Sequence, residues 1–152
     1  MSDTSSVTYS ILLGEIRAIK NNKNNHAVAM QTFAASIDVL YARGDAAVTE
    51  LIDLLKSNDV ELAVLSMLCL GILNQAGLNA TKAINPIVSV VNAGSPKMIK
   101  FISFASLAML GNSDGIQMRT EDMARRKINS TRDWNGSIAS TIVDYIAGVS
   151  TW

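Results

Sequence analysis

The chain has 152 residues, 49% apolar and 17% charged, enough for one folded domain with a hydrophobic core, which excludes an intrinsically disordered protein. Thirteen basic residues balance thirteen acidic ones, which argues against a dedicated nucleic-acid-binding protein, because that class carries a basic excess. Residues 1–6 lack the basic and apolar segments of a secretion signal, and no apolar run approaches the roughly 18 residues of a membrane helix. We therefore expect a cytoplasmic protein that does not enter a membrane.

Apolar residues recur at helical spacing along most of the chain, and no segment alternates long enough to predict a sheet. The predicted helices span about residues 6–20, 26–43, 45–55, 60–75, 84–91, 96–110, 116–128 and 137–149. The residues expected to cap or close them include Ser5, Ser6, Gly44, Asp45 and Ser137. Residues 129–136 are predicted to be a loop that contains a tryptophan. The helix at 60–75 is apolar almost all round, which is typical of a helix buried on several sides.

One motif occurs twice in the middle of the chain. Residues 51–55 align with 87–91 at a shift of about 36 residues, a period found in helical solenoids. The turn at 57–60 aligns with 93–96 at the same shift. This match favours a helix over a strand at 86–91, where β-branched residues are frequent. The unit is a helical hairpin, which cannot cover its apolar side alone and therefore stacks on its neighbours.

The hairpin resembles a HEAT-type helical repeat. The resemblance rests on residues 51–60, followed by Leu68-Cys69-Leu70-Gly71, although the usual Val-Arg pair at the start of the second helix is replaced by Val60-Glu61. It implies an all-α fold, a short HEAT- or armadillo-like superhelix of about seven to eight helices in a single domain. Residues 1–44 would form an N-terminal hairpin cap, 45–111 the two best-formed repeats, and 112–152 an atypical C-terminal cap.

The sequence offers little for catalysis. His26 is the one histidine, and a functional base needs a second group that orients it, so we expect a surface residue. Cys69 lies in an apolar run and is predicted to be a core residue. The carboxylates of Asp114, Glu121 and Asp122 do not match a calcium loop, and no glycine pattern would hold a phosphate. These observations predict a protein that is not an enzyme and binds no metal or cofactor.

Two charged sets are candidate binding sites. The acidic set comprises Asp45, Glu50, Asp53, Asp59 and Glu61. It lies on the best-formed repeat, where a rigid helical frame would present it to a basic partner. The basic segment comprises Arg119, Arg125, Arg126, Lys127 and Arg132, with Trp134 following. Such a segment either holds phosphates or single-stranded nucleic acid, or is a solvated helix whose cations complement the helix dipole.

Three aromatic residues, Trp134, Tyr145 and Trp152, are candidate anchors for a partner, because aromatic side chains concentrate in interface hot spots. The sequence leaves open whether Trp152 is docked or exposed.

The chain as a whole, one short helical domain without a catalytic constellation, resembles the helical immunity proteins of bacterial contact-dependent inhibition systems. No single motif carries this resemblance. It implies a non-catalytic protein that binds one cognate toxin domain, such as a nuclease, and covers its active site through the acidic set. Two alternatives remain open: a helical-repeat protein that binds nucleic acid through the basic segment, and a scaffold or adaptor subunit.

Overall fold

The computed structural model describes residues 6–149, which form eight α-helices and no β-strand and are 78% helical. The helices are α1 (Val7–Asn21), α2 (His26–Arg43), α3 (Asp45–Leu54), α4 (Val60–Gln75), α5 (Ile84–Val90), α6 (Lys97–Met109), α7 (Ser113–Arg126) and α8 (Thr131–Ala147). A 3-10 turn, Thr81–Ala83, leads into α5. The prediction of an all-α fold is confirmed.

Helix α4 is the centre of the fold. Every residue from Leu62 to Gly71 is buried, and α4 packs against α1, α2, α3, α6 and α8. Gly71 permits the close approach of α6, since a β-carbon there would lie 2.8 Å from the sulfur of Met109. The hydroxyl of Ser106 on α6 donates to the carbonyl of Met67 across 2.7 Å. The predicted burial of this helix on several sides is confirmed.

The last helix returns to the first. Helix α8 packs against α1, α2, α4 and α6, so the two ends of the described chain meet around α4. In an open solenoid each repeat contacts only its neighbours. The contacts of α4 with α6 fit two stacked hairpins, α3–α4 and α5–α6, whereas those of α8 belong to a closed bundle. The predicted superhelical arrangement is therefore not confirmed.

Side-chain caps account for most of the helix N-termini. Ser6, Asn25, Asp59 and Asn112 each accept a hydrogen bond from a backbone N–H in the first turn of the helix that follows. The predicted loop at 129–136 and the cap at Ser137 are wrong. Helix α8 begins instead at Thr131, because the side chain of Ser130 accepts from the N–H of Asp133. Helix α7 likewise begins earlier than predicted, directly after Asn112.

Candidate functional site

Most of the acidic set is bonded within the protein itself. Glu50 accepts hydrogen bonds from Thr8 and Arg43, which lower its pKa. The set includes three further partnered members: Asp45 pairs with Lys82 (2.8 Å), Glu61 pairs with Lys20 (2.8 Å), and Asp59 caps α4. Asp45 is the first residue of α3 and not its cap, because Gly44 at φ 66° occupies the cap position. These partners reduce the negative field that the sequence led us to expect.

Asp53 differs from the rest of the acidic set. Its side chain is exposed, and no hydrogen bond or ion pair to it is found among residues 6–149. It lines a groove of about 350 Å³ between α3 and α5, together with Lys56, Pro86 and Ser89. Asp53 is therefore the acidic residue best placed to meet a partner.

The basic segment is organised around a buried carboxylate, Asp122, which is 1% exposed. Its oxygens accept from the indole N–H of Trp134 (2.9 Å), from Arg125, and from Nε of Arg126 (3.0 Å). Burial by itself raises the pKa of Asp122, but these hydrogen bonds and charges outweigh burial and lower its pKa overall. Two of the predicted phosphate ligands, Arg125 and Arg126, are thus paired with one carboxylate, which offsets one of their two positive charges.

Among residues 6–149, the candidate aromatic and basic residues do not form a stacking platform. Trp134 is 0% exposed, which corrects the expectation that it is available to a partner or a base. Arg119 lies over its ring, 6.0 Å from the centroid. Lys127 ends α7 in a left-handed conformation, and Arg132 is exposed on α8. Tyr145 is half-buried, and Trp152 lies outside the described residues.

An exposed phenylalanine, Phe104, lies between two grooves on α6. It is 42% exposed and lines a groove of about 260 Å³ against α5 and another of about 280 Å³ against α7. The Phe104 surface, as we call this region, comprises Val88, Val91, Phe101, Phe104 and Met118, with Lys100, Asp114 and Arg125 at its rim. The sequence did not single out Phe104, because most residues of α6 are apolar. Its exposure arises because α4, α5 and α7, which pack against α6, leave one side of the helix uncovered.

His26, the first residue of α2, contacts two polar side chains of α8. Its Nδ1 lies 2.9 Å from Oδ1 of Asp144, and its Nε2 lies 3.0 Å from Oγ of Ser140. The expectation that His26 lies at the surface is correct, since its side chain is 46% exposed. The orienting group that the sequence did not reveal is Asp144, 118 residues away along the chain.

A second buried carboxylate, Glu15, is 3% exposed on the apolar face of α1. It accepts from the hydroxyls of Ser36 (2.6 Å) and Thr32 (2.9 Å). Burial raises its pKa, and these two hydrogen bonds offset the rise only in part. Glu15 lines a shallow groove between α1 and α2. The sequence signal for this buried carboxylate was its position within the apolar stripe of α1.

The thiol of Cys69 is buried, as predicted, and burial raises its pKa far above the usual value. Within residues 6–149 no three His, Cys, Asp or Glu side chains cluster in a way that could hold a metal ion. None of the described helices combines the length and the apolar character needed to cross a bilayer.

The chain matches no known protein-family model, no curated protein and no solved structure.

Proposed function

We propose that this chain is a binding protein that holds one partner protein through the Phe104 surface. The observation that carries the proposal is the exposure of Phe104 between two apolar grooves. Exposure of a large aromatic side chain to water is unfavourable in free energy, and a partner that covers the side chain would remove this penalty. Interface hot spots are also enriched in aromatic residues within well-packed pockets. The partner is a folded domain that inserts apolar side chains on either side of Phe104.

Helix α5 links this surface to Asp53. The groove between α3 and α5 contains Asp53, and the groove on the other side of α5 contains Phe104. A partner that straddles α5 would therefore contact both residues. Apolar contacts would supply most of the affinity, and Asp53 would steer a basic partner during association.

The finer proposal is that the partner is a toxin domain and that this chain is its immunity protein. The support is a small helical frame whose candidate contact residues lie on a surface and not in a deep cavity. Two stacked HEAT-like hairpins, α3–α4 and α5–α6, would present this surface. Asp122 offsets one of the two positive charges of Arg125 and Arg126, and this smaller basic excess favours a protein partner over nucleic acid.

Affinity capture of the tagged protein from its native cells, with nuclease added, tests the proposal. We expect one stoichiometric protein with the wild type, its loss with Phe104→Ala, and its retention with Tyr41→Ala. Tyr41 is a matched control, because it is also an aromatic residue and is 45% exposed, but on α2. Equal capture by both variants would refute the Phe104 surface, and capture of nucleic acid alone would refute protein binding.

A further inference from the structure

The contacts of His26 point to a reactive serine. We infer that Ser140 is a nucleophile, that His26 is its general base, and that Asp144 is a positioning residue that orients the imidazole. The substrates are small activated esters, whose acyl group Ser140 takes up. This inference does not depend on partner binding at the Phe104 surface, and the two can fail separately.

The proposed relay uses one tautomer of the imidazole. Because an ionised carboxylate only accepts hydrogen bonds, Nδ1 of His26, which lies 2.9 Å from Oδ1 of Asp144, carries the proton in this tautomer. Nε2 is then unprotonated in the neutral ring and accepts from the hydroxyl of Ser140 across 3.0 Å. Nucleophile, base and orienting carboxylate are therefore connected in the order that acyl-transfer enzymes use.

The Ser140 hydroxyl bonds to a side chain of another helix, as the hydroxyls of Thr8 and Ser36 do. Helical hydroxyls commonly donate to the carbonyl four residues earlier. Ser66, Ser89, Thr120 and Thr141 all do so here. Ser140 is bonded instead to a side chain of another helix, although Thr141 beside it shows that the local backbone allows the common arrangement.

The reacting atoms face solvent, which limits the substrate. The side chains of His26 and Asp144 are 46% and 38% exposed, and Ser140 is half-buried. A small acyl or phosphonyl group can reach Ser140 Oγ without any movement of the helices. Such an open site favours an ester with a good leaving group, because few groups surround the oxyanion that develops.

The proposed reaction transfers an acyl group to Ser140. Oγ attacks the carbonyl carbon of the ester while its proton passes to Nε2 of His26. The bond to the leaving oxygen breaks, and the alcohol or phenol departs with that proton. Water then attacks the acyl-serine, again giving a proton to His26, which returns it to Ser140 as the carboxylic acid leaves.

Labelling with a fluorophosphonate, followed by mass spectrometry, tests the nucleophile. The serine oxygen replaces fluoride on phosphorus, and the hydroxyl proton leaves with the fluoride. We expect one adduct on Ser140, no adduct on that site in Ser140→Ala, and labelling about 100-fold slower in His26→Gln, the usual contribution of a general base. Ser137→Ala is the matched control, because Ser137 lies one turn away on α8 and contacts Arg126 instead of His26. Absence of an adduct, or labelling that does not depend on His26, would overturn the inference.

Nitrogen NMR of the wild-type chain tests the role of Asp144 independently. The chain contains one histidine, so its imidazole signals need no assignment by mutagenesis. We expect the Nδ1–H tautomer in the wild type and a shift toward Nε2–H in Asp144→Asn, together with slower labelling of Ser140. A merely structural contact would leave the labelling rate unchanged. An Nε2–H tautomer in the wild type would contradict the proposed relay.

Discussion

The indole N–H of Trp134 donates to Oδ2 of Asp122 across 2.9 Å, and the two side chains are 0% and 1% exposed. This bond joins the first turn of α8 to the last turns of α7. It also explains why α8 begins before the predicted cap, since burial of Trp134 requires residues 131–136 to be helical. The tryptophan that the sequence placed in a loop is thus part of the core.

We predict that Trp134→Phe lowers the free energy of unfolding by about 1–3 kcal/mol, because Asp122 loses a buried donor. Denaturant titration measures this change. Arg132→Ala, at an exposed position two residues earlier, is the control and should have little effect. Equal stability of Trp134→Phe and the wild type would show that the bond contributes nothing.

Glu15→Gln should gain stability relative to the wild type as pH rises. Because the pKa of Glu15 is raised in the folded state, its contribution to stability is present below the unfolded pKa, about 4.3, and is lost as pH rises through the folded value. Unfolding free energies of both proteins, measured at several pH values above about 4, give the slope of their stability difference against pH. The exposed Glu121→Gln controls for the change of charge. A difference that declines with pH would contradict the assignment.

Two glycines on neighbouring helices should respond oppositely to alanine. A β-carbon on Gly115 of α7 would lie 2.7 Å from the carbonyl carbon of Leu107 on α6, whereas one on Gly136 of α8 meets nothing within 4 Å. We expect Gly115→Ala to destabilise by about 1–3 kcal/mol or more. Gly136→Ala should stabilise by about 0.5–1 kcal/mol. Thermal unfolding of the pair checks both values, and the reverse order would disprove the α6–α7 packing.

The acidic set should divide according to its contacts. Asp59→Ala removes the cap of α4 and should cost about 0.5–2 kcal/mol of folding stability. Asp53→Ala removes a side chain without a partner in the described chain and should leave stability within about 0.5 kcal/mol of the wild type. Chemical denaturation distinguishes the two variants. A large loss in Asp53→Ala would mean that Asp53 serves folding and is not free for a partner.

Local patterns in the sequence predicted much of the fold. The apolar run of α4, the cap of α1 at Ser6 and the closing Gly44 of α2 sufficed to place those helices, because capping depends on neighbours a few residues away. Asn135 and Gly136 indicated a loop, yet the burial of Trp134 overrode their low helix propensity. Tertiary packing therefore decided the start of α8, which lies further from its predicted position than the start of α7 does.

The candidate sites depend on contacts that are distant in sequence. Ser140 and His26 are separated by 114 residues, and no local pattern reports their contact. The exposure of Phe104 depends on how much of α6 is left uncovered by the helices packed against it. The local sequence around Phe104 does not show this packing. Glu15 was visible as a carboxylate in an apolar stripe, but its two hydroxyl donors come from α2.

Photo-cross-linking from position 104 in native cells tests protein binding through the Phe104 surface most directly. A photoreactive phenylalanine analogue replaces Phe104 in one variant and Tyr41 in another, and cross-linked products are identified by mass spectrometry. We predict one protein joined to position 104 and absent from position 41. The same products from both positions, or none from position 104 with the partner still captured, would contradict it.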